Sequence, residues 1–303
     1  TCTITNDDKP GTLIVNKLLT NDNGGTKTVQ NFSYTVNGGL PVAFETDASN
    51  SQTVNAGSYS VVEVTDNDYT TTYGNSLNNN ANCSNLVIPN GGQATCTITN
   101  NDIAPKLTLN KILVKDNGGN ASESDWELTA SGVGDIGQIS GLGAAGSADV
   151  VSDDATFKAG TYTLSESAGP SGYTASAWSC SGGKSPNANN QITLNLGDDV
   201  TCTITNDDKA PSLKLVKKVV NDNGGKKAPA DWTLSAAGPT SIYGYGDATS
   251  DDTFKAGAYT LGETDIDGYH VGVDWSCSPI ANSGDKITLG LGQATTCEIT
   301  NDD

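Results

Sequence analysis

Residues 201–208 read TCTITNDD, and close copies stand at 1–8 (TCTITNDD), 95–102 (TCTITNND) and 296–303 (TCEITNDD). The last three copies are 95–106 residues apart, which is the size of one immunoglobulin-like sandwich and too long for a solenoid unit. Short alternating apolar runs between Gly, Asn and Asp turns are typical of antiparallel sheets. The sequence therefore predicts an all-β chain of three tandem Ig-like β-sandwich domains.

The predicted domain boundaries follow each copy of this segment. After the copies come a proline, a short apolar strand and the letters DNGG, as in APSLKLVKKVVNDNGG at 210–225. The predicted repeats are 9–103, 104–208 and 209–303. Their short linkers contain Pro10, Pro105 and Pro211, and short proline-bearing linkers favour a stiff rod.

Residues 1–8 copy the last strand of a repeat, although no other part of that repeat precedes them. Two interpretations stand. The segment belongs to a preceding domain of a longer array, or it is donated to a neighbouring molecule by strand addition.

Composition excludes several classes of protein. The net charge is −19, and all 16 basic residues are lysines. Nucleic acid is therefore not an expected partner, because phosphate binding requires a basic surface. No apolar run approaches the length of a membrane span. The single histidine, His270, leaves two repeats without a Ser–His–Asp or Cys–His arrangement, so we expect no enzyme acting on an outside substrate.

Each repeat directs a lysine, a glutamate and an asparagine toward its core. Side chains two positions apart share one face of a strand. Leu107 and Leu109 therefore share a face with Lys111, and Tyr162 and Leu164 share one with Glu166. The complete set comprises Lys17, Lys111 and Lys217 on the first strand, Glu63, Glu166 and Glu263 on the middle strand, and Asn100, Asn206 and Asn301 on the last strand.

The three buried side chains of each set are groups that can react with one another. Burial lowers the pKa of a lysine and raises that of a glutamate, which places an amine nucleophile beside a general acid. The asparagine carboxamide is an electrophile. Held in contact, the three groups can condense to a Lys–Asn isopeptide bond and release ammonia. The alternative is an uncondensed Lys–Glu pair that is hydrogen-bonded to the asparagine.

These motifs resemble the B-type repeats of collagen adhesins and Gram-positive pilins, the prealbumin-like or transthyretin-like Ig variants. The likeness spans essentially the whole chain and rests on the first-strand lysine, the last-strand asparagine and the Y-x-[VL]-x-E strand followed by Gly-Tyr (Gly172–Tyr173, Gly268–Tyr269). It implies three cross-linked triads, in which the glutamate is catalytic: Lys17–Glu63–Asn100, Lys111–Glu166–Asn206 and Lys217–Glu263–Asn301. The chain departs from the family in two ways, since it has a cysteine four residues before each asparagine and its first repeat lacks Gly-Tyr after Glu63.

The seven cysteines favour disulfides and an oxidising, extracellular location. Pairing within each repeat is the simplest connectivity and joins Cys83 to Cys96, Cys180 to Cys202 and Cys277 to Cys297. Cys2 is left over. By its likeness to Cys96, it is expected to pair with a preceding domain or another molecule, and Asn6 is expected to act there in the same way.

Turn residues account for most of the other motifs. The DNGG segments are interpreted as hairpin turns that require positive φ. Paired carboxylates at Asp7–Asp8, Asp153–Asp154, Asp207–Asp208 and Asp251–Asp252 are read as solvated turns. The alternative is calcium at the NDD junctions, and no other metal or cofactor is expected.

The predicted function is that of a structural repeat unit in an extracellular, cell-surface fibre, stalk or filament, joined head-to-tail to copies of itself or to further repeats. Trp126 and Trp232 match Phe32 and are expected to anchor the core beside the lysines. The exposure of Trp178 and Trp275 is left open by the sequence. Exposed tryptophans could stack on sugars, which keeps a glycan- or protein-binding adhesin as the alternative.

Overall fold

The computed structural model describes residues 1–76, 82–134, 136–144, 150–152 and 157–303. Within these ranges the chain contains 26 strands and three single-turn 3-10 helices, at Val29–Asn31, Glu123–Asp125 and Pro229–Asp231. The predicted all-β class is confirmed. Among the described residues, no helix has the length and apolar character needed to cross a membrane.

The strands fall into three successive sets. The first set contains β1 (Gly11–Thr20), β2 (Ser33–Val36), β3 (Val42–Ala43), β4 (Ser49–Val54), β5 (Gly57–Tyr59), β6 (Val61–Glu63), β7 (Tyr69–Asn75), β8 (Leu86–Ile88) and β9 (Gln93–Asp102). The second contains β10 (Lys106–Val114), β11 (Glu127–Gly132), β12 (Gln138–Leu142), β13 (Val150–Val151), β14 (Gly160–Glu166), β15 (Tyr173–Ala175), β16 (Ser179–Cys180), β17 (Gln191–Leu194) and β18 (Asp199–Asp208). The third contains β19 (Ser212–Val220), β20 (Thr233–Ala237), β21 (Ile242–Tyr245), β22 (Asp247–Thr249), β23 (Gly257–Glu263), β24 (His270–Ser278), β25 (Lys286–Leu289) and β26 (Ala294–Asp302).

Each repeat is a sandwich of two layers. One layer holds the first and last strands, in the orders β4-β1-β9-β7, β13-β10-β18-β15 and β22-β19-β26-β24. The facing layer is β12-β11-β14-β17 in repeat 2 and β21-β20-β23-β25 in repeat 3. In repeat 1 this layer divides into β3-β2-β6 and β5-β8, because the middle strand is interrupted at Ser60.

The first and last strands of every repeat are neighbours and run parallel: β1 with β9, β10 with β18, and β19 with β26. Their inward residues are apolar and nearly inaccessible, as at Leu107, Leu109 and Cys202. This follows from the period-2 alternation of a strand with one buried face. Tension applied to the two ends of a repeat therefore shears this central pair along its length.

Residues 1–8 are exposed and form no strand. Each of the three repeats already contains a last strand of its own, at Gln93–Asp102, Asp199–Asp208 and Ala294–Asp302. Donation of residues 1–8 to a neighbour remains a prediction.

One linker residue at each junction hydrogen-bonds to both repeats. The Ile103 amide donates to the Asp68 carbonyl (2.9 Å) in repeat 1, and the Ile103 carbonyl accepts from Gly197 (2.9 Å) in repeat 2. Lys209 repeats the arrangement, because its amide donates to Gly172 (2.8 Å) and its carbonyl accepts from Gly292 (2.9 Å). The amide and the carbonyl of each linker residue are thus hydrogen-bonded to opposite sides of the junction, which restricts bending there.

The first two DNGG turns also join successive repeats, and the interpretation of the three DNGG segments as hairpins is wrong. β1 and β2 lie in different sheets, so the turn between them crosses from one layer to the other. Asn23 Nδ2 donates to the Phe157 carbonyl (3.0 Å), and the Asn23 carbonyl accepts from the Ala159 amide (2.7 Å). The expected positive φ is confirmed at Gly24, Gly118 and Gly224 (98°, 92° and 99°).

Candidate cross-linking site

The three core-phase lysines are almost completely buried, with exposed fractions of 2% for Lys17, 4% for Lys111 and 3% for Lys217. Each lies opposite an isoleucine of the last strand, at Ile98, Ile204 and Ile299. The asparagine stands two residues after that isoleucine. Since residues two apart share a face, the lysine and the asparagine project into the core from adjacent strands in the same register in all three repeats.

The glutamates come from the facing layer. Glu63, Glu166 and Glu263 pair with Tyr34, Leu128 and Leu234 on the neighbouring strand. Lys111 Nζ is 2.9 Å from Glu166 Oε2, and Lys217 Nζ is 2.5 Å from Glu263 Oε2. Glu63 is buried, whereas Glu166 and Glu263 retain slight side-chain exposure of 12% and 8%. Each ion pair therefore bridges the two sheets.

Repeat 1 brings all three groups into direct contact. Lys17 Nζ donates to Glu63 Oε1 and to Asn100 Oδ1. Thr71 completes the cluster, because its hydroxyl donates to Glu63 Oε2 (2.8 Å) and accepts from Asn100 Nδ2 (3.2 Å). The amine, the carboxyl and the carboxamide thus form one connected network in the core.

Asn206 and Asn301 each have a buried carboxamide oxygen that accepts no hydrogen bond from the described residues. A buried acceptor without a donor costs about 1–3 kcal/mol. A hydrogen-bond donor placed against either oxygen would remove this cost. Such a bond would also polarise the carboxamide carbon toward attack by an amine.

An aromatic ring covers each lysine. The distance from Nζ to the ring centroid is 4.0 Å for Lys17 and Phe32, 4.9 Å for Lys111 and Trp126, and 4.9 Å for Lys217 and Trp232. Burial lowers the pKa of the Lys17 and Lys217 amines, although the hydrogen bonds to Glu63 and Glu263 oppose the shift. The water-excluding site therefore increases the neutral, nucleophilic fraction of these two amines.

Tyr69 is a residue of the site that the sequence analysis missed. Its ring meets Phe32 edge-on at 5.1 Å, as Tyr173 meets Trp126 (5.3 Å) and Tyr269 meets Trp232 (5.1 Å). Repeat 1 therefore has the tyrosine of the Gly-Tyr pair and lacks only its glycine, which is replaced by Asp68. The spacing was the available signal, because Tyr69 follows Glu63 by the same six residues that separate Tyr269 from Glu263.

Three disulfides connect the cysteines in the expected pairs: Cys83–Cys96, Cys180–Cys202 and Cys277–Cys297. In repeats 2 and 3 they join directly opposed residues of neighbouring antiparallel strands. They enclose short loops, with sequence separations of 13, 22 and 20, so each is expected to stabilise its repeat by about 2–4 kcal/mol. Cys2 is exposed and free, and its pairing beyond this chain, like the role of Asn6, remains a prediction.

The final aspartate of each NDD or NND segment holds the DNGG turn of the same repeat. Asp208 Oδ1 accepts from the Asn117 amide (2.9 Å), and Asp208 Oδ2 accepts from the Gly119 amide (2.6 Å). Asp102 and Asp303 make the equivalent bonds in their own repeats. The amide of Asn223, with help from other turn amides, lowers the pKa of Asp303. These aspartates therefore connect the end of the last strand to the end of the first.

Replacing Asp208 by alanine should lower the free energy of unfolding of repeat 2 by about 1.5–3 kcal/mol, because two turn amides lose a charged acceptor. Urea unfolding followed by tryptophan fluorescence measures this change. Asp207→Ala is the matched control, since Asp207 is exposed and should cost less than about 0.5 kcal/mol. Equal effects of the two substitutions would contradict the assigned role of Asp208.

Among the described residues, acidic groups cluster at the junction of repeats 2 and 3, where Asp116 lies with Asp207 and Asp208, and at the end of repeat 3, where Asp222 lies with Asp302 and Asp303. Asp208 and Asp303 already accept backbone hydrogen bonds, so part of their capacity to bind a cation is used. Calcium at the NDD segments remains a prediction. Asp153–Asp154 lies outside the described residues.

The tryptophans left open by the sequence do not form an exposed platform. Trp178 is 7% exposed and belongs to the core of repeat 2, and Trp275 packs against the core of repeat 3. Trp126 and Trp232 are buried in the cores, as expected. The sugar-stacking role considered for Trp178 and Trp275 therefore has no support in the geometry.

The prealbumin-like fold domain family matches residues 8–98, 102–204 and 208–299. The Bacillus anthracis TIE protein is similar in structure, with 15% identity and a TM-score of 0.53 over 97% of this chain and 51% of that chain. This chain thus spans about half the length of that protein, and the likeness concerns the fold. No curated protein matches the sequence.

Two further solved structures cover much of the chain at low structural similarity. Two B repeat units of the collagen binding protein of Staphylococcus aureus are 14% identical, with a TM-score of 0.26 over 97% of this chain and 75% of that chain. The major pilin from Streptococcus pyogenes is 12% identical, with a TM-score of 0.33 over 66% of this chain and 98% of that chain.

Proposed function

Because the chain belongs to the family of prealbumin-like fold domains, we propose that it is a load-bearing section of an extracellular surface fibre or stalk. In this proposal, each repeat is closed by an intramolecular Lys–Asn isopeptide bond. The observation that carries it is the threefold placement of a buried lysine and asparagine on adjacent first and last strands, with a glutamate against the lysine.

The proposed reaction needs only groups that the repeat contains. The neutral amine Nζ of the lysine attacks Cγ of the asparagine, the new Nζ–Cγ bond forms, and the Cγ–Nδ2 bond breaks. The glutamate takes the proton lost by Nζ and passes it to Nδ2, which leaves as ammonia. Fixed proximity of the reactants supplies the effective concentration that makes this amide exchange feasible at ambient temperature.

The proposed bond suits the topology. In repeat 3, force enters through Ser212 and leaves through Asp302, at opposite ends of two parallel strands. A Lys217–Asn301 bond would carry the force across after six residues and bypass the rest of the sandwich. Force would then reach a covalent bond before it could separate the hydrogen-bond ladder.

Peptide mapping tests the proposal. After reduction and proteolysis, we expect one branched peptide per repeat, such as the segment around Lys217 joined to the segment around Asn301, lighter by one ammonia than its two parts. Total mass alone is insufficient, because a succinimide at an Asn–Gly pair also loses ammonia. Unbranched peptides from all three repeats would refute the cross-links.

The exposed face of the edge strand β21 (Ile242–Tyr245) is the surface that supports the adhesin alternative. Tyr243 and Tyr245 are 78% and 72% exposed and share one face, since they are two residues apart. Specific ligand binding that is lost with Tyr243→Ser and Tyr245→Ser would favour this function. The repeated load-bearing geometry favours the stalk.

A further inference from the structure

The two junctions within the chain use the same contacts. Asn117 Nδ2 donates to the Asp252 carbonyl (2.8 Å) and the Phe254 carbonyl (3.2 Å), and the Asn117 carbonyl accepts from the Ala256 amide (2.8 Å). These bonds repeat the contacts of Asn23 with repeat 2. Both asparagines are buried, with 3% and 7% exposure, so each junction is a docked interface rather than a loose linker.

The glycine after each asparagine fits closely against the next repeat. A Cβ atom at Gly24 would lie 3.0 Å from the Ala159 carbonyl oxygen, and one at Gly118 would lie 3.0 Å from that of Ala256. Both glycines also have positive φ, which disfavours any side chain. The DNGG turn and the Ala–Gly start of the middle strand are therefore the two complementary halves of a junction.

The third turn has the same positive φ at its glycine but contacts no other repeat within the chain, and its Asn223 side chain donates instead to Asp222 Oδ1 (2.8 Å) and the Asp303 carbonyl (3.1 Å). A Cβ atom at Gly224 would meet nothing within 4 Å, and Asn223 is exposed. The turn is nevertheless held in place, because Asp303 accepts from the amides of Asp222 (2.8 Å) and Asn223 (3.0 Å). The backbone of this turn is thus a preorganised half of a junction, and docking would exchange the two bonds of the Asn223 side chain within repeat 3 for bonds to the partner.

Repeat 1 presents the complementary half at Val54–Gly57. Gly57 has a φ of 159°, close to 154° at Gly160 and 150° at Gly257. The Tyr59 hydroxyl donates to the Asn55 carbonyl (2.8 Å), as Tyr162 and Tyr259 donate to Lys158 (2.7 Å) and Lys255 (2.6 Å). Ala56 and Gly57 are exposed, whereas their counterparts at Ala159 and Ala256 are docked.

We propose that the Asn223–Gly224 turn is a docking site for the Ala–Gly strand start of another repeat of this kind, and that a second copy of this chain supplies one at Val54–Gly57. This inference rests on the proposed fibre function and names its head-to-tail contact. The interface is heterologous, with different surfaces on the two partners, so it can extend without closing. It requires no cross-link or disulfide between copies.

The contact between copies is expected to be weak. Within the chain, the short linker provides an effective concentration in the millimolar range, so a dissociation constant near or below about 1 mM would keep the junctions docked. Repeat 1 also has Asn90 where the other repeats have Leu196 and Leu291. Leu196 packs against the core of repeat 1, so a copy that docks through repeat 1 lacks this apolar contact.

Sedimentation velocity of the whole chain tests the proposal, with Cys2→Ser in every sample to exclude intermolecular disulfides. We expect the weight-average mass to rise with concentration up to about 1 mM, the range set by the linker's effective concentration. Asn223→Ala should abolish the rise because the side-chain donor is lost. Ala56→Glu should abolish it by blocking the opposite end, and Asn189→Ala, an exposed control, should leave it unchanged.

Mixing the two end variants gives the decisive result. An Ala56→Glu chain keeps its turn and an Asn223→Ala chain keeps its strand start, so the mixture should form dimers and nothing longer. A monomeric parent chain at about 1 mM, or association that survives both substitutions, would overturn the docking site. Peptide mapping of the same samples reports separately on the cross-links, so failure of one proposal is distinguishable from failure of the other.

Discussion

Glu166→Ala should leave repeat 2 without its Lys111–Asn206 bond while repeats 1 and 3 remain linked. Glu166 lies 2.9 Å from Lys111 Nζ and is the acid–base group placed to move a proton from the attacking amine to the leaving one. Without it, the amine cannot transfer its proton within the water-excluding core, and the reaction loses a catalytic factor of about 10²–10⁴. Peptide mapping should then recover the Lys111 and Asn206 peptides separately.

Two companion variants make this result interpretable. Glu166→Gln keeps the size and polarity of the side chain but cannot exchange a proton in the same way, so it should also lack the bond. Glu127→Ala removes an exposed carboxylate of the same repeat and should link normally. A normal Lys111–Asn206 bond in both Glu166 variants would refute the assigned role of the glutamate.

Asn206→Ala should convert repeat 2 from an inextensible unit into one that unfolds under force. Lys111 and Asn206 are 95 positions apart, and a chain extends by at most about 3.3–3.6 Å per residue. The intact Cys180–Cys202 disulfide withholds the 22 positions that it spans, so loss of the bond should release roughly 250 Å of additional contour length in single-molecule pulling. The variant should also lose about 4–5 kcal/mol of stability, by analogy with a disulfide that closes a loop of that size.

The control for this experiment is Asn189→Ala, which alters an exposed asparagine of the same repeat. Its force trace should be the same as that of the parent chain. The disulfides must remain intact in every sample, because Cys180–Cys202 closes a loop of its own. A parent chain that already releases the full length of repeat 2 would contradict the proposed load path.

Alternation of apolar residues was sufficient to predict the fold and the direction of the key side chains. Leu107, Leu109 and Lys111 share a face because the strand period is two, and the structure buries all three. The disulfide pairs followed from the repeat spacing in the same way. These inferences succeeded because each depends on residues close together in the sequence or on the comparison of one repeat with another.

Contacts between elements could not be predicted in this way. The DNGG turn has the residues of a hairpin, and nothing local indicates that Asn23 binds Phe157, which lies 134 positions away. Tyr69 was missed because its preceding glycine is replaced by an aspartate. Trp178 and Trp275 remained undecided because their burial depends on the packing of the facing layer, which alternation within one strand does not report.

The linker residues Ile103 and Lys209, which hydrogen-bond to the repeats on both sides, constrain how one repeat is placed relative to the next. Equivalent contacts at successive junctions imply nearly the same rotation and translation from each repeat to the next, and one such operation applied repeatedly generates a screw. Along a longer array, a given surface side chain would therefore be rotated about the array axis by a constant angle from each repeat to the next. Averaged electron micrographs of such an array should show a regular helical pitch rather than a random succession of bends.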